Sequence, residues 1–339
     1  PAMAALDAGY HVVMEKPMSR YADELRALQA RAEQTGRLVT VCHVLRYTPF
    51  FSKVKEILDS GVIGQVQSIQ QIENVAYWHQ VHSFVRGNWR REDETSPMIL
   101  AKSCHDMDIL LWMVGSHCTK VSSFGSLGHF RPENAPDGAP ARCLDGCPAA
   151  DTCPYDAERI YLRDKGVHVP VIRKVVSLEN TDESVREALK TGPYGRCVYR
   201  CDNDVVDHQV ASLLFENGTT VAFTMCAFSD ACDRTVKFMG TRGEIRASMD
   251  NNVIEVTQFG AGVRTGTTAV YTVKPGSTGH SGGDEGIMEE FVSILKGERE
   301  NTNTIAQSVH SHVMAFAAEE SRLTGRTVDV ADFEKSVMA

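Results

Sequence analysis

Lys16, Lys102 and His105 carry side chains that polarise oxygen and move protons. Lys16 lies in Glu15-Lys16-Pro17, directly after the apolar run His11-Val-Val-Met14. Open α/β sheets gather their ligands at the carboxyl ends of such strands. Lys102 and His105 stand just before Asp108 to Val114, a run that reads as a helix with an apolar inner face. A lysine cation steadies a developing alkoxide, and an imidazole takes or returns a proton near neutral pH. Lys102 has two readings. Desolvated near another cation, it acts as a base near neutral pH; otherwise it holds a substrate hydroxyl or faces solvent.

A second chemistry is written in cysteine. Cys143, Cys147, Cys153, Cys197 and Cys201 crowd into a stretch rich in Pro, Asp and Gly. Zinc takes four soft ligands in a tetrahedron, and Cys143, Cys147 and Cys153 with Cys197 make the expected structural site. Cys201 and His129 are alternative ligands, and small buried thiols, or a disulfide in an exported protein, are the alternative to metal.

The elements that position these groups follow from periodicity. His11 to Met14 and Leu38 to Cys42 read as buried strands, joined by a helix that Ser19 caps and whose Leu25, Leu28 and Ala32 share a face. That alternation predicts a parallel α/β layer. A further helix is expected from Pro49 to Ser60, and from Val66 the texture turns towards strands. Asn217-Gly218 between two β-rich runs predicts a hairpin. Short strands continue to Val273, and helices near Glu285 to Leu295 and Ile305 to Leu323 close the chain. The expected architecture is α/β plus α+β. Residues 1–45 are the C-terminal remnant of a Rossmann domain, and residues 46–339 form a domain with a largely antiparallel sheet, carrying a Cys-rich excursion over 131–200.

Several motifs in order resemble the Gfo/Idh/MocA oxidoreductases. They are Glu15-Lys16-Pro17, His43-Val-Leu-Arg46-Tyr47, Cys104-His105-Asp106-Met107-Asp108, Asn217-Gly218, Gly279-His280-Ser-Gly-Gly-Asp284 and Ala318-Glu-Glu-Ser321-Arg322. The resemblance implies hydride transfer between NAD or NADP and a carbinol of a sugar, polyol or related compound. It places Glu15, Lys16, Pro17 and His43 at the cofactor, with Lys16 polarising the substrate oxygen and His105 transferring its proton. Arg46, His280 and Asp284 are expected at the substrate, together with Asn88 and Trp89, whose indole suits a sugar ring. Many members carry an acid four residues before the motif histidine, where this chain has Ala101. Some relatives oxidise a sugar transiently to cleave its glycosidic bond, and a non-catalytic sensor is a third reading. Pairing through the open sheet implies a homo-oligomer.

Composition narrows the partners. Lys and Arg number 35 against 44 Asp and Glu, a formal net charge of −9, which argues against non-specific nucleic-acid binding. The longest strongly apolar run, Ile109 to Val114, falls far short of the ~20 residues of a membrane span. Ten cysteines in 339 residues are too dilute for a secreted disulfide scaffold, and a cytoplasmic location is expected, with an export signal upstream of Pro1 left open. The chain opens without Met inside a helix-like run, and no G-x-G-x-x-G follows a predicted strand. It therefore reads as a fragment that alone binds neither dinucleotide well and is inactive.

Overall fold

The computed structural model describes residues 1–164, 166 and 168–337. Its N-terminal layer holds α1 (Ala2–Asp7), β1 (Val12–Met14), α2 (Ala22–Thr35) and β2 (Val39–Val41). The two strands run parallel, with Val12 opposite Val39. Leu25, Leu28 and Ala32 bury the inner face of α2, and Gly36 ends the helix in the left-handed region. Ser19 does not cap this helix. Tyr21 is the N-cap, and the Ser19 hydroxyl accepts from the Tyr21 amide instead. A 3-10 turn (Val44–Tyr47) leads into α3 (Pro49–Asp59), where Thr48 accepts from the Phe51 amide and Pro49 occupies the first turn.

The second layer is a nine-stranded sheet in the order β10-β9-β8-β7-β3-β6-β5-β4-β11 among the described residues. Its strands are β3 (Val66–Asn74), β4 (Cys118–Ser126), β5 (His208–Phe215), β6 (Thr220–Cys226), β7 (Asp233–Gly240), β8 (Gly243–Ser248), β9 (Val253–Gln258), β10 (Thr267–Thr272) and β11 (Val328–Asp329). All neighbours pair antiparallel except β3 and β6. β5 and β6 form the hairpin at Asn217-Gly218, with Gly218 at φ 85°. Along β5 burial alternates strictly, so Gln209, Ala211, Leu213 and Phe215 face the core.

Between β3 and β4 the chain forms α4 (Tyr77–Gln80), which runs directly into a π-helix (Val81–Arg86), then α5 (Met98–Ala101) and α6 (Cys104–Val114). Within the Cys-rich excursion lie a second π-helix (Arg159–Arg163), α7 (Val169–Val176) and α8 (Asp182–Thr191), with no strand among its described residues. This region has a core of its own. Phe130, Tyr161, Val185, Leu189 and Tyr199 pack there with Val81 and Val85 of the first π-helix. Near the C-terminus, α9 (Gly283–Leu295), α10 (Ile305–Thr324) and α11 (Val330–Val337) complete the fold. Buried residues of α2, α3, α6, α10 and the sheet share one continuous core.

Candidate active site

Lys16 sits at the end of β1, and its ammonium donates to the Ala101 carbonyl at 3.1 Å. Long-range packing therefore joins the first strand to the α5–α6 corner that carries Lys102 and His105. The Lys16–Pro17 peptide is cis. The next amide, Met18 N–H, donates to Nε2 of His312 at 3.0 Å, while His312 Nδ1 meets the Ser308 carbonyl at 2.7 Å. Burial, reinforced by the His43 charge, pushes the His312 pKa down to about 3. His312 is thus a neutral imidazole with one donor and one acceptor in use, pinning the turn after Lys16 from α10.

His43 follows β2 and is fully buried, 3.0 Å from Asp108 Oδ1. Burial opposes its charged form, yet the Asp108 carboxylate prevails and raises its pKa to about 9. Arg46 donates to both Asp108 oxygens at 2.6 Å, the bidentate geometry of a strong charge-assisted pair. Against burial, Arg46 and His43 together hold the Asp108 carboxyl well below the usual carboxylate range. The expectation that Arg46 meets substrate is corrected here. Its guanidinium is consumed by Asp108 and Gln307 beneath the site.

His105, in the first turn of α6, keeps Nδ1 buried without a hydrogen-bond partner among the described residues. Its ring stands 6.2 Å from that of His43, edge to face. Burial, then the charges of Lys16, His43, Arg234 and Lys102, lower its pKa well below the ordinary value, so it is neutral at pH 7. An acid is present after all, although not at Ala101. Glu73 of β3 meets Lys102 at 3.2 Å and Arg234 of β7 at 2.8 Å, and Arg234 also meets Asp106 at 2.9 Å. Gln71 donates to Asp106 at 2.8 Å. Ile69, Gln71 and Glu73 share the buried face of β3, so the strand's alternation carried a signal that an acid points inward.

His79 of α4 is a further residue that sequence reasoning missed. Burial, then the charges of Lys102, His82, Lys16 and Arg234, push its pKa well below the ordinary value, and the Cys232 thiol stands 4.0 Å from its Nδ1. The helix that carries it is preceded by Ala76, whose φ of 69° is uncommon for a residue with a side chain, and continues as a π-helix, a form frequent at functional sites.

The remaining candidates are placed as follows. Glu15 is exposed and Pro17 half-buried beside Lys16. His280 and Asp284 form an exposed pair at 2.7 Å at the entry of α9. A side chain at Gly283 would strike the Val44 carbonyl at 2.4 Å, so glycine lets this entry lie on the turn after β2. The charges of Glu15 and Asp284 both act on Cys42, which places the loop at the carboxyl ends of the two strands. Asn88 is exposed and Trp89 packs against the main core. Neither side chain hydrogen-bonds to the Lys16, Lys102 and His105 group.

The thiols expected to bind zinc fall in one place. Cys143, Cys147, Cys153 and Cys197 line one small pocket as free thiols. Yet no three His, Cys, Asp or Glu among the described residues group closely enough to hold a metal ion. Cys201 turns its sulfur to the Cys197 carbonyl, and His129 pairs with the Tyr199 hydroxyl at 3.1 Å.

Comparison with known proteins decides the lineage. Residues 55–330 match the family model "Oxidoreductase family, C-terminal alpha/beta domain" of Gfo/Idh/MocA, and residues 1–43 match its "NAD-binding Rossmann fold". The chain belongs to the Gfo/Idh/MocA oxidoreductase family. It is similar to the putative oxidoreductase YteT of Bacillus subtilis (strain 168), at 26% identity over 83% of this chain and 66% of that protein. It is also similar to the B. subtilis scyllo-inositol 2-dehydrogenase (NADP(+)) IolW, at 33% identity over 28% of this chain and 25% of the relative. The chain thus spans just under two thirds of YteT. A levoglucosan dehydrogenase solved with NADH shares the fold at a TM-score of 0.66 and 17% identity, covering 97% of this chain and 76% of that one. In this Gfo/Idh/MocA member Glu15, Lys16 and Pro17 follow β1 and His43 follows β2, all within the residues matched to the NAD-binding fold.

Proposed function

We propose that the protein transfers a hydride between NAD(P) and a carbinol carbon of a sugar, inositol or related polyol. The observation that carries this reading is a neutral His105 in the first turn of α6, set among the charges of Lys16 and Lys102. A neutral imidazole can take a proton, and two nearby lysines supply the positive charge that a developing alkoxide needs. The names of the inositol and levoglucosan dehydrogenases support the same substrate class.

Bound nicotinamide supplies the hydride acceptor or donor. The rest falls to this chain. Lys16, held by the Ala101 carbonyl, presents its cation to the substrate oxygen and steadies the charge that develops there. His105 accepts the hydroxyl proton on oxidation and returns it on reduction. Glu73 fixes Lys102 by an ion pair, so Lys102 serves as a second cation that orients substrate hydroxyls.

The test is a nicotinamide-absorbance assay of the full-length protein with NAD(H) and NADP(H) against a panel of inositols, aldoses and their keto forms. Turnover on at least one carbinol is expected. Lys16→Met should lower kcat/KM roughly a hundred- to a thousandfold. Nucleotide binding without hydride exchange on any member of the panel would overturn the proposal.

A further inference from the structure

A continuous chain of contacts joins His79 to the lysines of the candidate site. Lys16 donates to the Ala101 carbonyl, and the next residue, Lys102, meets Glu73 at 3.2 Å. Glu73 lies opposite Arg234 in the register of β3 and β7 and meets it at 2.8 Å. Two residues before Arg234, the Cys232 sulfur stands 4.0 Å from Nδ1 of His79. The backbone leading into α4 is tied to the same corner. The Ala76 amide donates to the Ser229 hydroxyl at 3.1 Å, and the Tyr77 amide donates to the Ser229 carbonyl at 2.9 Å.

The imidazole is held in place from several sides. It stacks on Trp78 with ring centroids 5.5 Å apart, and Phe84 of the first π-helix packs against it at 6.1 Å. Trp78 in turn stacks on His168 of the excursion at 4.8 Å, so the excursion supports the ring through one indole. A group fixed in this way loses little freedom when it meets a ligand.

One edge of the ring is in use and the other is not. Nδ1 faces the Cys232 thiol, and Nε2 makes no hydrogen bond with a described residue. His79 is half-buried, and none of its atoms is among the buried polar atoms that lack a partner, so Nε2 opens outward where a ligand reaches it. Burial and the neighbouring cations keep the ring neutral at pH 7. A neutral imidazole nitrogen either donates or accepts, and a hydroxyl does both, so either tautomer is answered by a hydroxyl.

Lys16 and His105 already serve the reacting carbon. Sugars and inositols carry further hydroxyls, and a site that hydrogen-bonds one of them rejects isomers that place it elsewhere. Resting on the hydride-transfer reading above, we propose that Nε2 of His79 binds a substrate hydroxyl away from the reacting carbon and so selects among polyol stereoisomers.

The test is a cycle of protein and substrate changes on the full-length protein. The best carbinol of the panel and its monodeoxy analogues are assayed with wild type, His79→Leu, His79→Gln and His79→Asn. His79→Leu should raise KM roughly five- to tenfold with little change in kcat. The Gln amide reaches the position of Nε2 and should bring KM back to within about threefold of wild type. The shorter Asn amide reaches only the position of Nδ1 and should not. One deoxy analogue should show the same KM with wild type and His79→Leu, because the hydroxyl that His79 binds is already gone. Additive losses with every analogue would overturn the role of His79, as would a KM that His79→Leu leaves unmoved or that Asn restores as well as Gln. If His79→Leu fails to fold, the Gln and Asn variants still decide. Wild type that turns over no member of the panel is a separate failure, which overturns the hydride-transfer reading and this role with it.

Discussion

Two regions of this molecule bury cations, and they answer the charge differently. Beneath Lys16, Arg46 meets Asp108, Arg234 meets Glu73 and Asp106, and Lys102 meets Glu73. Under the excursion, Arg86 is equally buried and meets two carbonyls and a thiol. The first region closes its cations with carboxylates, while Arg86 meets only neutral partners among the described residues. The contrast separates a network of ion pairs that holds a site from a buried cation held by neutral groups.

The sharpest way to break this comparison is to open the closed region. Asp108→Asn strips Arg46 and His43 of their buried counter-charge and should destabilise the protein by about 3–5 kcal/mol in urea unfolding. A loss below about 1 kcal/mol would show that the Arg46 pair does not govern the fold there.

A pH titration of stability probes the same network more gently. The folded-state pKa of His43, about 9, lies above its ordinary value of 6.5. The stabilisation is therefore fully present below pH 6.5 and is lost as pH rises through about 9, a change of roughly 3 kcal/mol. Urea midpoints on either side of that window should show the drop, and Asp108→Asn should abolish it. A wild-type midpoint that is flat across the window would mean that Asp108 does not hold the proton on His43.

The smallest effect should come from the open region. Arg86→Met removes a buried charge that meets no carboxylate among the described residues, and although two carbonyls lose a donor, the net change should stay within about 1 kcal/mol. Destabilisation as large as that of Asp108→Asn would show that neutral partners hold Arg86 as strongly as a carboxylate holds Arg46.

Much of the scaffold was legible in the sequence because its signals are local. Apolar runs between Gly and Pro gave β1 and β2, the spacing of Leu25, Leu28 and Ala32 gave α2, and Asn217-Gly218 gave the β5–β6 hairpin. β4 went unread, because Cys118 to Ser126 mixes small and polar residues without clean alternation. The site was legible only in part. Lys16 and His105 stand at element ends that motifs mark, but Glu73 and Arg234 face each other across β3 and β7, a pairing set by sheet register. Arg46 misled because its chemistry suits a ligand while tertiary packing gives it to Asp108. The thiols were visible as a group, but their arrangement around a pocket with Arg86 depends on the fold of the whole excursion.

The measurement that tests the central claim most directly is transfer of label from a carbinol deuterated at its reacting carbon, followed by mass analysis of the nicotinamide. Deuterium should move to the nicotinamide ring in wild type, and more slowly in His105→Asn, with the slowing greatest at low pH where proton removal is hardest. Consumption of the carbinol with its deuterium neither on the nicotinamide nor returned to product would contradict hydride transfer at this site.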